Sequence, residues 1–342
     1  MVEKIAFPGV FTPLTSAPPS AEKPGATKVV PNFSAVVKTP ETPLGHKRSV
    51  SVGPVEQVID TKDQKPKSKP KSSDTSFRVM TFNVRWDDLE LKDSKRAWKF
   101  RKDKVFQVLL RHKADLIGLQ EPFADQLTDL IAAFPEYECY RGAALLSENQ
   151  QRAYNPIFYR RERFELLQSG FFFLSETPHQ SSLGWTAKIP RSVSWVRLKD
   201  RQTGKDFYFF NTHFDYFSKL ARNESARLLR QKIKEIAGKK QFIVGGDFNI
   251  FQALSGQETL RLLTETTEDA MALIDAQTIT IQGHFGPTGS WSGFTEGGKP
   301  GVKPDFLFVQ SEVFVLMHAI LADAFEGEFA SDHLPVMADL SL

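Results

Sequence analysis

Apolar residues follow two regimes along this chain. Up to about residue 76 they stand singly among Pro, Ser, Thr and Lys, with neither the period of a strand nor that of a helix. Such a segment cannot bury enough surface to offset its ordering entropy, so residues 1–76 are expected to form a disordered tail. From Phe77 onward, compact apolar blocks predict strands at residues 78–82, 115–119, 156–159, 164–174, 194–200, 205–210 and 241–244. Three more are expected near 306–309, 313–322 and 334–340. Helical spacing of Trp98, Val105, Val108 and Leu109 predicts a helix over 95–112, and Leu127, Leu130 and Ile131 predict another over 124–133. A third helix runs over 217–237 on Leu220, Leu228, Leu229, Ile233 and Ile236, with Gly238 placed to stop it; a short fourth is expected at 258–263.

Strands outnumber helices. They come in hairpin-like succession, as across the polar turn Arg201-Gln202-Thr203-Gly204, as well as in strand-helix-strand units. That mixture predicts an α+β or layered α/β protein with two sheets. Residues 77–342 read as one domain, because no second linker interrupts them and no fixed-period repeat is visible.

Composition narrows the setting. With 342 residues and 41% hydrophobic content a sizeable core is affordable, and no run approaches the eighteen or so apolar residues of a membrane span. The first ten residues lack a basic region followed by an apolar block, so a conventional secretory signal is not expected. Cys139 is the one cysteine, which excludes an internal disulfide and a cysteine-built zinc site and fits a reducing, cytoplasmic setting. The net charge of +3 is uneven: residues 1–76 hold 11 Lys+Arg against 7 Asp+Glu, leaving the body near −1, without the cationic bias of a long nucleic-acid footprint. The tract Lys65-Pro66-Lys67-Ser68-Lys69-Pro70-Lys71 reads either as a self-repelling linker or as a nuclear-import or polyanion-binding segment, and export by a non-classical route stays open. The chain is expected to act as a monomer.

The candidate chemistry lies at the ends of the apolar blocks. Four strands finish on a functional side chain: Asn83, Glu121, His213, and the pair Asp247 and Asn249, which follow Gly245-Gly246 where the backbone is expected to turn. Two begin on one: Asp305, and Ser331-Asp332-His333. If the last two strands run opposite to the first four, all six ends meet at one edge of the layers. Hard oxygen donors at such a mouth suit Mg²⁺ or Mn²⁺ better than Zn²⁺. Imidazoles and carboxamides donate to phosphate oxygens, and a free carboxylate takes a proton from an attacking water. Singly, each residue has a plainer reading: Asn and Asp cap turns, and most histidines are inert. His112, His179, His284 and His318 are read that way.

Six stretches together carry more. Met80-Thr81-Phe82-Asn83-Val84-Arg85, Leu119-Gln120-Glu121-Pro122, Asn211-Thr212-His213-Phe214, Gly245-Gly246-Asp247-Phe248-Asn249, Pro304-Asp305-Phe306-Leu307 and Ser331-Asp332-His333-Leu334-Pro335-Val336 resemble, in order, the motifs of the endonuclease/exonuclease/phosphatase superfamily. The resemblance spans roughly residues 77–342. Pro304 and Pro122 depart from the usual pattern without removing a chemical group, and the loops resemble an uncharacterised bacterial and fungal branch more than the DNA-repair enzymes.

The resemblance implies a DNase I-like, four-layered α/β/β/α sandwich of two mixed sheets and a Mg²⁺-dependent phosphoesterase, with Mn²⁺ as a substitute. It implies that Glu121, the amide oxygen of Asn83, and Asp332 hold the metal. Asp247 would orient or deprotonate the water or bind a second metal, and Asn249 would hold the phosphoryl oxygens. His213 and His333, the latter fixed by Asp305, would complete the phosphate cradle. Around the mouth, Arg191, Trp185, Trp291 and Arg222 are candidates for substrate binding, against core packing for each Trp and a surface ion pair for Arg191. The favoured substrate is a phosphodiester in nucleic acid or a nucleotide; lipid head groups, inositol phosphates or other small phosphate esters are the alternative, and a catalytically silent binding module is the third.

Overall fold

The computed structural model describes residues 75–87, 95–146, 152–251, 256–267, 272–294 and 301–342. The expected tail with its basic tract, and residues 295–300 of the glycine-rich stretch, lie outside the described residues.

The first half of the fold runs β1 (Phe77–Asn83), α1 (Trp98–His112), β2 (Leu116–Gln120), α2 (Ala124–Ala133), β3 (Tyr137–Tyr140), β4 (Leu145–Leu146), β5 (Arg152–Ala153), β6 (Ile157–Arg160), β7 (Phe164–Phe173) and β8 (Ser192–Asp200). The second half runs β9 (Asp206–His213), α3 (Lys219–Ala237), β10 (Phe242–Asp247), α4 (Gln257–Thr264), β11 (Ile274–Asp275), β12 (His284–Phe285), β13 (Asp305–Val309), β14 (Phe314–Ile320), β15 (Ala324–Phe325), β16 (Glu328–Phe329) and β17 (Val336–Ser341). One seven-stranded sheet has the order β12-β14-β17-β1-β2-β6-β3, and a six-stranded sheet has β11-β13-β10-β9-β8-β7.

Period-two patterning stacks these sheets face to face. In β1, Phe77 and Val79 join Phe207, Phe209, Ile243, Leu307 and Val309 of the other sheet in one buried layer. Met80 and Phe82, on the opposite face of β1, join Val105, Val108 and Leu109 of α1 and Leu127 and Leu130 of α2. On the far side Phe210, Val244, Phe306 and Phe308 pack against Leu229 and Ile233 of α3 and Leu263 of α4. Helix, sheet, sheet, helix is therefore the order of layers, as the motifs implied. Each such apolar side chain contributes roughly 1.5–3 kcal/mol on burial, so all three layers hold the sandwich together.

Local signals hold at several joints. Ser218 caps α3 through a bond from the Ala221 N–H, and Gly238 closes it at φ 59°. Asp200 accepts the Gln202 N–H across the β8–β9 turn, where Gly204 takes φ 72°. No apolar pattern signals β3, because Tyr-Glu-Cys-Tyr is a short outer strand in which only Tyr137 is fully buried. Gly245 and Gly246 do not form a turn. They pair within β10 opposite Asn211 and Thr212, and a Cβ on Gly246 would sit 2.3 Å from the Thr212 carbonyl oxygen. Close strand approach requires glycine there, and the turn comes three residues later, at Asn249 with φ 49°.

Candidate active site

Strand directions bring all six motif ends to one edge. β1 and β2 run parallel with Asn83 beside Gln120, so Glu121 leaves the sheet next to Asn83. In the other sheet β9 and β10 run parallel with His213 beside Asp247, and antiparallel β13 sets Asp305 on the other side of Asp247. β17 runs antiparallel to β1, and Ser331 just ahead of it donates its hydroxyl to the Asn83 carbonyl at 2.7 Å. Below this edge Gln120 donates to Asn211 across the sheets at 2.6 Å, and Asn211 donates to the carbonyls of Leu119 and Pro156.

The two sheets meet chemically at Asn83. Its amide nitrogen donates to Glu121 Oε1 at 3.0 Å and to Asp247 Oδ2 at 2.9 Å. The amide oxygen accepts the Arg85 N–H at 2.9 Å. It therefore faces its own backbone, with the donor side of the carboxamide turned toward the two carboxylates. Glu121 Oε2 accepts the Trp86 N–H at 3.0 Å, and Glu121 itself has φ 74°. With Asn249 and Arg85, three non-glycine residues of the site thus hold left-handed backbone, which costs about 1 kcal/mol or more each and persists only where surroundings enforce it.

Asp247 and the imidazoles form a coupled group. Asp247 Oδ1 accepts the Asn249 N–H at 2.9 Å. Its Oδ2 lies 3.4 Å from His213 Nε2 and 3.8 Å from His333 Nε2. Asn249 Nδ2 contacts His213 Nε2 at 3.1 Å and donates to the Phe214 carbonyl at 3.0 Å, so both its N–H groups have partners inside the protein. His333 Nδ1 meets Asp305 Oδ2 at 2.8 Å, and Asp305 also accepts the Ser290 hydroxyl at 2.7 Å.

Charge in this group is set by burial against neighbours. Burial, then Arg191, His333 and Arg85, holds His213 well below the ordinary imidazole range, so it is neutral and accepts from Asn249. Burial also pulls His333 down, but the Asp305 and Asp247 carboxylates outweigh it and hold the ring charged. Asp247 is pushed up to about 7, chiefly by burial and partly by Asp305, with His333 opposing.

Glu121, His213 and Asp247 offer ligand atoms within 4.8 Å of one another, as do Asp247, Asp305 and His333. Asp332 stands at the same cleft, 3.5 Å from Arg85 Nη1 and with Oδ1 accepting from Ser331 at 3.2 Å. The cleft encloses about 300 Å³.

Of the four expected substrate residues, the structure brings two to this cleft. Arg191 and Trp291 line it, and Trp291 bridges to His333 through the loop Ser290-Trp291-Ser292. Trp185 does not line it; its N–H is tied to the Glu176 carboxylate at 3.0 Å. Arg222 does not line it either: its guanidinium is buried and donates to the carbonyls of Asp215 and Tyr216, holding the loop that carries Tyr216 to the cleft. Asp215 likewise caps that loop through the Phe217 and Ser218 N–H groups.

Sequence reasoning passed over Trp86, Tyr216, Phe217 and Phe251, which wall the cleft. Their positions directly after Asn83, His213 and Asn249 were the available signal. It also passed over Arg101, 1% exposed, whose donors take the carbonyls of Val84, Arg85 and Trp86. An arginine inside a helical pattern reads as surface. His284 and His318 are not isolated: their Nδ1 atoms lie 2.8 Å apart.

Comparison with known proteins agrees with this geometry. The model of the endonuclease/exonuclease/phosphatase family matches residues 80–333. A solved member of that family from Bacteroides vulgatus is 36% identical, with a TM-score of 0.69 over 78% of this chain and 99% of that one. A mannosyl-6-phosphatase of Bacteroides thetaiotaomicron is 29% identical, with a TM-score of 0.70 over 78% and 100%. The uncharacterized protein R895 of Acanthamoeba polyphaga mimivirus is 25% identical over 74% of this chain, which spans only 42% of that protein. This chain belongs to the endonuclease/exonuclease/phosphatase family and has its DNase I-like fold.

Proposed function

We propose that the cleft hydrolyses phosphate esters of compact alcohols, with water as the nucleophile and a divalent cation as resident cofactor. Family membership supports the reaction class. The observation that carries the reading is the Asn83 amide holding Glu121 and Asp247, one from each sheet, beside a charged His333 and a neutral His213.

The donor set fits a hard divalent cation. Two carboxylates converge in a buried place where ionising Asp247 is costly, a third stands at the cleft wall, and no thiolate is near. Glu121 and Asp332 would hold the cation, with Asp247 adjacent, and it would neutralise charge on the phosphoryl oxygens. Asp247 takes the proton of the attacking water; its elevated proton affinity suits a base working near neutral pH. His333, kept charged by Asp305, donates to a phosphoryl oxygen as charge builds. Asn249 fixes the lone pair of His213 Nε2 and so its tautomer, positioning it beside Asp247.

A cleft of about 300 Å³ with Arg85 and Arg191 as its lining Lys/Arg cations favours a small ester over a nucleic-acid strand. The similar Bacteroides mannosyl-6-phosphatase supports a sugar phosphate. Trp86, Trp291 and Phe251 in the wall support a nucleotide as a second reading, since a base or a sugar stacks on such rings.

Hydrolysis of p-nitrophenyl phosphate and its bis ester with Mg²⁺ or Mn²⁺ and with chelator tests the chemistry. Glu121→Ala and His333→Ala should each lose about 100-fold or more in kcat, and equal rates in all three proteins would end the catalytic reading. A panel of sugar phosphates, nucleotides, inositol phosphates, sphingomyelin, RNA and DNA tests the substrate; preference for a polymer or lipid would overturn the compact-ester part.

A further inference from the structure

We propose that Arg191 makes the cleft selective for phosphate monoesters, its guanidinium binding the third non-bridging oxygen of a phosphoryl dianion, the oxygen that a diester has esterified. The inference rests on the hydrolytic reading above and narrows it.

Arg191 stands apart from every other buried arginine among the described residues. Arg101 donates to backbone carbonyls around Trp86, and Arg163 is paired with Asp200 at 2.8 Å. Arg222 donates to the carbonyls of Asp215 and Tyr216, and Arg230 to those of Leu262 and Glu265. Arg191 is 7% exposed; an unpartnered Nε it shares with Arg222 and Arg230, but their Nη atoms donate, whereas none of the Arg191 guanidinium donors has a hydrogen-bond partner among the described residues. The carboxylates of Asp215, Glu121 and Asp247 act on it only through space. A guanidinium is a planar array of five donors with no acceptor, and burying it unbonded is costly unless a ligand completes it. Lining the cleft beside Glu121 and His213, it faces the place where the phosphoryl group must lie.

Space on its side of the cleft argues the same way. Beside the cleft, sharing Glu121, His213 and Arg191 with it, lies a recess of about 30 Å³ closed by Phe123, Leu145 and Tyr154. That is room for about one water and not for an alcohol arm. The exposed rings of Tyr216 and Phe217 stand at the cleft on the solvent side. One esterified oxygen can leave past them; a second, turned toward Arg191, meets a wall and a cation that wants a bare oxygen. A monoester dianion satisfies both conditions, since it carries three unesterified oxygens and two charges.

The test compares p-nitrophenyl phosphate with bis(p-nitrophenyl) phosphate on the full-length chain with Mg²⁺. The wild type should favour the monoester in kcat/KM. Arg191→Met should reduce that monoester-to-diester ratio roughly 30-fold, the size of a charge-assisted hydrogen bond, and Arg191→Lys should recover part of it. As competitive inhibitors, inorganic phosphate should outperform dimethyl phosphate on the wild type and lose that advantage in Arg191→Met. A wild type that favours the diester overturns the proposal, as do equal losses on both substrates, which would mean that Arg191 merely balances Glu121 and Asp247. Should Arg191→Met not fold, the two wild-type preferences decide alone. If the wild type hydrolyses neither ester, the hydrolytic reading fails, and the protection that phosphate and dimethyl phosphate give in thermal melts still decides the role of Arg191.

Discussion

Asn83 donates to Glu121 and Asp247 at once, so one carboxamide separates two acids that would otherwise repel. Asn83→Leu, similar in size and without donors, is expected to cost about 10- to 100-fold in kcat and in apparent Mg²⁺ affinity, as other ligand-orienting partners do; a metal titration with rates checks it. In the proposed reaction Asp305 would act one residue further away, through His333. Asp305→Asn removes the charge that keeps the His333 ring protonated, so the charged form should be lost at a lower pH. The alkaline limb of the pH–rate profile then moves down, and an unshifted limb would contradict the role given to His333. Residue identities of this kind were legible in the sequence because each ends or begins an apolar block. Their orientations were not. Which way the Asn83 amide turns, or that Arg222 spends itself on the Tyr216 carbonyl, depends on partners that only folding supplies.

Elements set these residues by register, and register leaves little slack. Gly246 lies opposite Thr212 where β9 and β10 run side by side, and an added methyl meets the Thr212 carbonyl at 2.3 Å. Gly246→Ala should therefore cost about 3 kcal/mol, seen as a fall of roughly 6–12 °C in Tm, and should displace His213 relative to Asp247. The β12–β14 edge carries a different sensitivity. His284 Nε2 contacts the Pro287 carbonyl at 2.8 Å and its Nδ1 meets His318 Nδ1, while burial, then Lys303 and His284, holds His318 down at about 3. Between pH 6.5 and about 3 the unfolded chain binds a proton that the folded chain refuses, so stability must fall as pH falls through that window. His318→Gln should flatten this acid loss, measured as denaturation midpoints from pH 7 to 4. The elements themselves were mostly predicted within a few residues, since β1, β9, β10 and β13 alternate between two apolar layers. β3 was not, because a four-residue outer strand has little pattern to show.

At the scale of the molecule, four layers follow from where the helices fall between strands; the chain's patterning reached two sheets with helices, and the resemblance carried by the six motif stretches supplied the four-layered order. For the function proposed above, the near-neutral body counts against a long polyanion, as does the small cleft. The site also sits across the seam between two sheets, with Glu121 leaving one and Asp247 ending the other. In the proposed reaction the distances among these groups therefore double as a gauge of intersheet spacing. Warming or mild denaturant that lets the sheets slip by a fraction of an ångström would detune the carboxylates long before either sheet melts, so activity should decline several degrees below the loss of circular dichroism. A ligand gripping both sides would act as a clasp on the sandwich, and the protein should be harder to pull apart while it holds its phosphate.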